Sequence, residues 1–440
     1  MKSQFCATVD GSDAERAVRK RDAIPVWFTV RDGIVFTSLG PRAHAEGTIE
    51  GVIQLVDRDD SLQSRLRTAP IQLCVQLDTS PDHSSNQLDA VIHIDGVKYR
   101  VSGTVIDERG KEQPCRIQVV PVRKELYSRA RGLIETSVLA DKTVFFKGVG
   151  SVGSTVIRLL AQSGVQKFIF MDQDRLEVAN VIRHEAGLSD IGRYKTKAMA
   201  DIVRNKNPYA EITTYEEKAS DKNIDLVREL VRQTDICIDT GDQREGKLLL
   251  NRVCREEGTP LIISGAFRRA YGGQVLRVKP EGSACYQCFV QMLAKDASAY
   301  TDPEAETIAY SDRPVPIEPG LSVDIEPIAQ MTAKLALQEL LKDQDTTLRS
   351  LDEDLEANWY LWLNRREQGS QYESWDPLGY GIDGMRVMRW YGINFEAAPS
   401  CPVCGDFVQH LAEQANIDLS DDGVRELLSH CEINGEDHAG

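Results

Sequence analysis

The sequence predicts an α/β protein whose main sheet is mostly parallel, preceded by a smaller β-rich domain. Three observations predict it. Short apolar runs alternate with helical patterns from about residue 143 to 264, the spacing of βαβ units. A glycine-rich loop lies between the first of those runs and the helical pattern after it. Residues 1–122 instead carry period-2 runs and Asp-Gly turns with little helical period. The domains expected on this basis are 1–122 and 123–440.

Taken in order, residues 26–30 and 34–37 flank Arg31-Asp32-Gly33, and residues 91–94 and 97–101 flank Asp95-Gly96. A short Asp-Gly connection between such runs is a hairpin signal. Residues 71–77 alternate at period 2, which buries one face of a strand, and a short helix is expected near 14–21. Residues 123–140 read as mostly helical. Strands at 143–146, 167–171, 211–215, 236–239 and 261–264 then alternate with helices at 151–162, 195–205, 223–232 and 247–257. A strongly apolar-periodic helix is expected at 328–342. Residues 350–397 have little clear period; their Trp359/Trp362 pair reads as a buried face, with partner docking as the alternative. The segment 406–440 suggests one or two helices and an acidic end.

Composition narrows the function classes. The 440 residues carry 52 Lys+Arg against 68 Asp+Glu, a formal net charge of −16. A sequence-independent nucleic-acid binder needs a basic surface to displace counterions, so no nucleic-acid partner is expected. No run approaches the ~18 apolar residues of a spanning helix, and the first residues turn polar at Asp10 before a signal-peptide core forms. Ten cysteines are too sparse for a disulfide scaffold in a chain this long. The expectation is a reduced, cytoplasmic protein without a membrane partner.

The chemistry begins at Lys147-Gly148-Val149-Gly150-Ser151-Val152-Gly153. In a GxGxxG after an apolar strand, Gly148 permits the tight turn and Gly150 lets a phosphate approach the backbone. Gly153 allows close helix–sheet packing, and Ser151 can cap the helix. Asp172, about 20 positions on at the end of the next apolar run, suits a ribose hydroxyl. This much describes a Rossmann-like nucleotide site, with a hydride-transferring dehydrogenase as the default. The residues beyond Asp172 depart from a dehydrogenase. Asp174, Asn180 and Arg183 stand just past the strand, Lys195 opens a helix, and Asp242 comes after the strand at 236–239. Basic groups with a candidate Mg²⁺ carboxylate suit a triphosphate, whose charge cations and metal must neutralise.

On these residues the chain resembles the ThiF/MoeB/HesA superfamily, adenylyltransferases that include ubiquitin-activating (E1-like) enzymes. That family shows a glycine loop, a strand ending in acid-x-acid, an Asn-x-x-Arg, a Gly-x-x-Lys and an Asp-containing loop after a later strand. Here these fall on Gly148, Gly150 and Gly153, on Asp172 and Asp174, on Asn180 and Arg183, on Lys195, and on Asp242 with Asn251 further along its helix. Tyr127-Ser128-Arg129 resembles the family's Tyr-x-Arg-Gln, with Ala130 in place of the glutamine, and Ser264-Gly265-Ala266 and Gly273-Gln274 also fit. The resemblance implies ATP as substrate, with Asp172 on the ribose, Arg183 and Lys195 on phosphates, and Arg129 reaching the ATP of a partner subunit in a homodimer. It implies Mg²⁺ on Asp242. It further implies that a ubiquitin-like or sulfur-carrier protein ending in glycine is adenylated and passed on, for instance to a conjugating-enzyme thiol. Antiviral bacterial conjugation systems are a weaker implication. Peptide adenylation, an NAD-dependent oxidoreductase and a non-catalytic scaffold remain alternatives.

Cys285-x-x-Cys288 and Cys401-x-x-Cys404 suit a closed, structural Cys₄ zinc site in a reducing compartment, with a redox dithiol or unligated cysteines as the alternatives. Thioester-forming relatives usually carry a cysteine in the loop before the helix at 328–342, whereas residues 312–322 here contain none. Cys74, Cys237 and Cys254 lie in apolar patterns and read as core. Cys431, after His430 in a polar stretch, is the speculative thioester candidate.

Overall fold

The computed structural model describes residues 5–32, 34–40, 48–55, 72–79, 89–106, 109–292, 320–342, 344, 350–368, 386–406, 410, 412 and 414. The chain divides into two compact units. The first is Met1–Thr136 with Ala161–Gly164 and Asp201–Ala210, and the second is Ser137–Leu160, Val165–Ala200 and Glu211–Gly440. No helix among the described residues is long and apolar enough to cross a membrane.

The first unit holds β1 (Phe5–Asp10), β2 (Ile24–Arg31), β3 (Val35–Thr37), β4 (Thr48–Leu55), β5 (Gln72–Asp78), β6 (Ala90–Ile94), β7 (Val97–Ile106) and β8 (Glu112–Val120). They run in the order β5-β4-β2-β3-β1-β8-β7-β6, and β5 also pairs with β7, so the sheet closes on itself. Both expected hairpins are present, β2 with β3 and β6 with β7. In the second, Asp95 and Gly96 both have positive φ, the backbone that a type I′ turn requires. Alternate residues of β7 and β8 point inward, and Phe28, Ile53, Leu73 and Val101 are fully buried. The short helix Gly11–Lys20 begins where the Asp10 carboxylate accepts the Ser12 N–H at 2.9 Å, a side-chain N-cap. The helix expected over 123–140 is instead two short ones, Val122–Glu125 and Thr136–Asp141, separated by turns that include Gly132 at φ 82°.

The second unit holds β9 (Thr143–Lys147), β10 (Lys167–Met171), β11 (Glu211–Tyr215), β12 (Ile236–Asp239), β13 (Leu261–Ala266), β14 (Gly272–Val278), β15 (Trp359–Leu363) and β16 (Trp390–Ile393). The order is β11-β10-β9-β12-β13-β14-β15-β16. The first five are parallel and the last three antiparallel. β9, β10 and β12 are buried almost throughout, as a parallel sheet covered on both faces demands. From β9 the chain steps to β10 on one side, and β12 lies on the other. That reversal opens a crevice at the carboxyl ends of β9 and β12.

Helices Ser151–Ser163, Lys195–Lys206, Ile224–Arg232 and Arg244–Glu256 connect these strands. The helix Ser322–Leu341 starts earlier than the apolar period suggests, six residues before Ile328 and across Pro327, and packs on β13 and β14. Trp359 and Trp362 lie on the fully buried strand β15, so they belong to the core.

Candidate functional site

The loops at the crevice are built from close backbone contacts. Gly148 has φ 92°, and a Cβ there would lie 2.6 Å from the Gly241 nitrogen. A Cβ on Gly153 would lie 2.5 Å from both the Gly148 carbonyl oxygen and Thr240 Oγ1. Thr240 Oγ1 donates to the Gly148 carbonyl at 2.8 Å and Thr240 N–H to the Lys147 carbonyl at 2.9 Å, tying the loops after β9 and β12 together. Gly150 differs: nothing lies within 4 Å of its Cβ position, so the backbone there is open to a ligand. Ser151 is the first residue of the helix rather than its cap, and Val152 packs inward. The free N–H groups of this helix start favour an anion.

Asp172, just past the end of β10, accepts Val149 N–H on Oδ2 at 2.7 Å and Asp174 N–H on Oδ1 at 2.8 Å. It therefore braces the glycine loop from the next strand. Burial raises its pKa, opposed by the Lys195 charge and by those two N–H groups. Lys195, 7% exposed, places Nζ 3.0 Å from Asp174 Oδ2 and donates its N–H to the Asp174 carbonyl. The stretch between these two residues is closed by a bridge, Arg175 opposite Tyr194, with the Arg175 guanidinium 3.8 Å from the Tyr194 ring centroid.

Asn180 and Arg183 lie on the short 3₁₀ helix Val178–Arg183. Asn180 Oδ1 accepts Glu177 N–H at 3.1 Å, half of a capping box, so part of its hydrogen-bonding capacity is spent locally. Arg183 is half-buried. Sequence reasoning assigned His184 no role, yet it joins this helix to the glycine loop. Its Nδ1 accepts Ala186 N–H at 3.0 Å, which makes Nε2 the protonated nitrogen, donating to the Val149 carbonyl at 2.8 Å. Burial lowers its pKa. A depressed histidine contributes stability that is present above its ordinary pKa of about 6.5 and lost as pH falls through the folded value. Melting temperatures measured from about pH 7.5 down to about 5 should therefore fall, and His184→Gln should flatten that dependence. An equal slope in the variant would remove His184 as its source.

Asp242 is exposed in the turn between β12 and helix Arg244–Glu256. A single exposed carboxylate is a donor that Mg²⁺ accepts, since that ion keeps several waters and takes phosphate oxygens as ligands. Beneath the turn, Lys147 Nζ lies 3.0 Å from each carboxylate oxygen of Asp239, a buried ion pair that sequence reasoning missed. The visible signal was a lysine and an aspartate each closing an otherwise apolar strand, TVFFK and ICID. Further along the helix, Lys247 lines a small cleft with Gly265, Gln274, Tyr286 and Phe289. Arg129 is exposed in a turn of the first unit.

The four cysteines meet, although 116 positions separate the pairs in sequence. Cys285, Cys288, Cys401 and Cys404 place all their sulfurs within 4.8 Å of one another. The Sγ···Sγ separations are 3.9 Å for 285–288, 3.6 Å for 285–401 and 3.3 Å for 288–404. Four sulfurs at about 2.3 Å from a tetrahedral zinc stand about 3.8 Å apart, so the cluster fits a metal ion. It does not contain disulfides. Hydrogen bonding from Cys285, then from Ala398 N–H, holds the Cys288 thiol down to about 4. Asn251 is fully buried and accepts Tyr286 N–H at 2.9 Å, which places it at this cluster. Cys74, Cys237 and Cys254 are core residues. Cys431 and residues 312–319 lie outside the described residues.

Among known proteins, the model of the ThiF family matches residues 127–360. The chain is 32% identical over 151 residues to the SAMP-activating enzyme E1 of Haloferax volcanii, covering 34% of this chain and 54% of that protein. It is 27% identical over 212 residues to ubiquitin-like modifier-activating enzyme 5 of Caenorhabditis briggsae, covering 43% and 48%. The chain spans about half the length of these curated relatives. Among solved structures, E. coli MccB with ATP aligns at a TM-score of 0.43 and 18% identity, over 61% of this chain and 68% of that one.

Proposed function

Because the chain belongs to the ThiF family, we propose that it is an ATP-dependent adenylyltransferase that activates the C-terminal carboxylate of a protein or peptide. The observation that supports this most is the convergence, at one crevice of the sheet, of an open Gly150, a braced Asp172, a buried Lys195 and an exposed Asp242. In this reading residues 148–153 carry the phosphates on backbone N–H groups, and Asp172 takes the ribose with lone pairs left after its two backbone bonds. Arg183 and Lys195 balance phosphate charge, and Arg129 does so from the partner subunit of a homodimer. Asp174 holds Lys195, and Asn180 holds the turn that carries Arg183. Asp242 would hold Mg²⁺, which screens the triphosphate when bound.

The carboxylate of the acceptor attacks the α-phosphorus. A carboxylate oxygen–phosphorus bond forms, the α–β bridge oxygen leaves with pyrophosphate, and an acyl-adenylate remains. No general base is needed, because a carboxylate is ionised at about pH 7. Catalysis is positioning plus charge stabilisation.

The acceptor proposed is a ubiquitin-like protein ending in glycine, whose small residues thread to the α-phosphate; the Caenorhabditis relative is named as an activating enzyme for a ubiquitin-like modifier. Residues 1–122 would recruit it. The Cys₄ cluster would hold a structural zinc with no open coordination position. A second reading ends at the adenylate, as for a sulfur carrier or peptide; the cysteine-free sequence of residues 312–322 favours it over a thioester on that loop. Exchange of labelled pyrophosphate into ATP, dependent on Mg²⁺ and on a glycine-terminated protein, tests the proposal.

A further inference from the structure

We propose that the buried Lys147–Asp239 pair is the positioning element that sets the Asp242 turn against the bound nucleotide; this rests on the adenylation reading. Lys147 ends β9, which leads into the glycine loop, and Asp239 ends β12, which leads into the Asp242 turn. The two are direct cross-strand partners. They lie on the sheet face that buries Phe145 and Cys237, two residues before each of them. Lys147 is 8% exposed and Asp239 not at all. Asp239 Oδ1 also accepts the Gly241 N–H at 2.9 Å, so one carboxylate fixes both the ammonium and the first bend of the turn.

The chain then wraps over the ammonium. A Cβ at Gly241 would lie 3.0 Å from Lys147 Nζ, and one at Gly246 would lie 2.7 Å from Cε and 2.8 Å from Nζ. Asp242 sits between these two glycines. A side chain at either position would meet the end of the lysine, so residues 241–246 pass directly against the ammonium that Asp239 holds.

A buried ion pair is a poor stability device, because desolvation cancels much of its attraction; apolar residues would fill two strand ends as well. What it supplies here is one geometry. The glycine loop has braces of its own in Asp172 and His184. Thr240 ties that loop to the Asp242 turn, which otherwise rests on Asp239 and Lys147. Loss of the pair should therefore loosen the metal-holding carboxylate more than the phosphate loop.

The test is the charge-neutral double variant Lys147→Met/Asp239→Asn in the full chain, with Asp239→Asn alone as a second variant that keeps an acceptor for Gly241. Melting temperature, equilibrium ATP binding and pyrophosphate exchange are each followed against Mg²⁺ concentration. The proposal expects a folded protein whose half-saturating Mg²⁺ rises about tenfold in both binding and exchange, with ATP affinity at saturating Mg²⁺ changed less than about threefold. Folded variants with the parental Mg²⁺ dependence would overturn it, and so would a loss of exchange without a shift in Mg²⁺. A parent chain that binds ATP without exchange refutes the adenylation reading, while the Mg²⁺ dependence of binding still decides the role of the pair. A parent that binds no ATP overturns both.

Discussion

Asp242→Ala should lower pyrophosphate exchange by roughly 10²–10³-fold, the scale of removing one preorganised electrostatic group from a transition state, while the chain stays folded. Both halves follow from where the residue sits. Asp242 is exposed in a turn, and the bonds that shape that turn belong to Asp239, Gly241 and Thr240. Truncating it costs stability within about 0.5 kcal/mol, as for surface positions without structural partners. What it removes is the carboxylate proposed to hold Mg²⁺ on the triphosphate. The rate of exchange and the melting temperature, measured on one preparation, check the two halves together. Unaltered exchange would move the metal to another ligand. A large fall in melting temperature would make Asp242 a structural residue.

Cys401→Ser should have the largest effect on stability. Cys401 is fully buried and its sulfur lies 3.6 Å from that of Cys285. A metal bound to all four sulfurs joins the start of helix Tyr286–Met292 to a segment beyond β16. Structural zinc supplies apparent binding energies of about 10–16 kcal/mol in small domains. Part of this survives with three ligands, so a net loss of about 4 kcal/mol is expected, or on the order of 10 °C in melting temperature for a unit of this size. Metal content should fall with it from about one zinc per chain, and a strong chelator should produce a similar shift in the unsubstituted protein. Equal melting curves with and without chelator, in protein that carries no zinc, would show that the cluster works as packed thiols.

How much of this was legible in the sequence depended on range. The strands at 143–147, 167–171 and 236–239 and the loop between 148 and 153 were legible because apolar runs and glycine spacing are local signals. The Asp95-Gly96 turn was legible for the same reason, since its backbone requirement is carried by the two residues themselves. For the helix Ser322–Leu341 the apolar period begins only at Ile328, six residues in. Pro327 removes one backbone hydrogen bond, but the turn before it carries exposed Leu321 and Val323, so no apolar period marks it.

The closure of the first sheet through β5 and β7 was not legible, because strand pairing at a distance leaves no local pattern. The same holds for the site. Lys147 and Asp239 are 92 positions apart and meet only through the register of β9 with β12. His184 acts through a carbonyl 35 positions away. The family resemblance sets Asn251 beside Asp242, further along the helix that the Asp242 turn leads into. Its carbonyl oxygen instead accepts from Tyr286, at the cysteine cluster. The four cysteines were the exception among long-range features, because only a few residue types make a metal site and their spacing announces it.

Whether this crevice adenylates a carboxyl terminus is decided by labelled-pyrophosphate exchange. With ATP, Mg²⁺ and a ubiquitin-like protein ending in Gly-Gly, label should enter ATP only when all components are present, and Asp242→Ala should abolish it. No exchange with any glycine-terminated protein or peptide, together with tight binding of NAD, would contradict the adenylation reading.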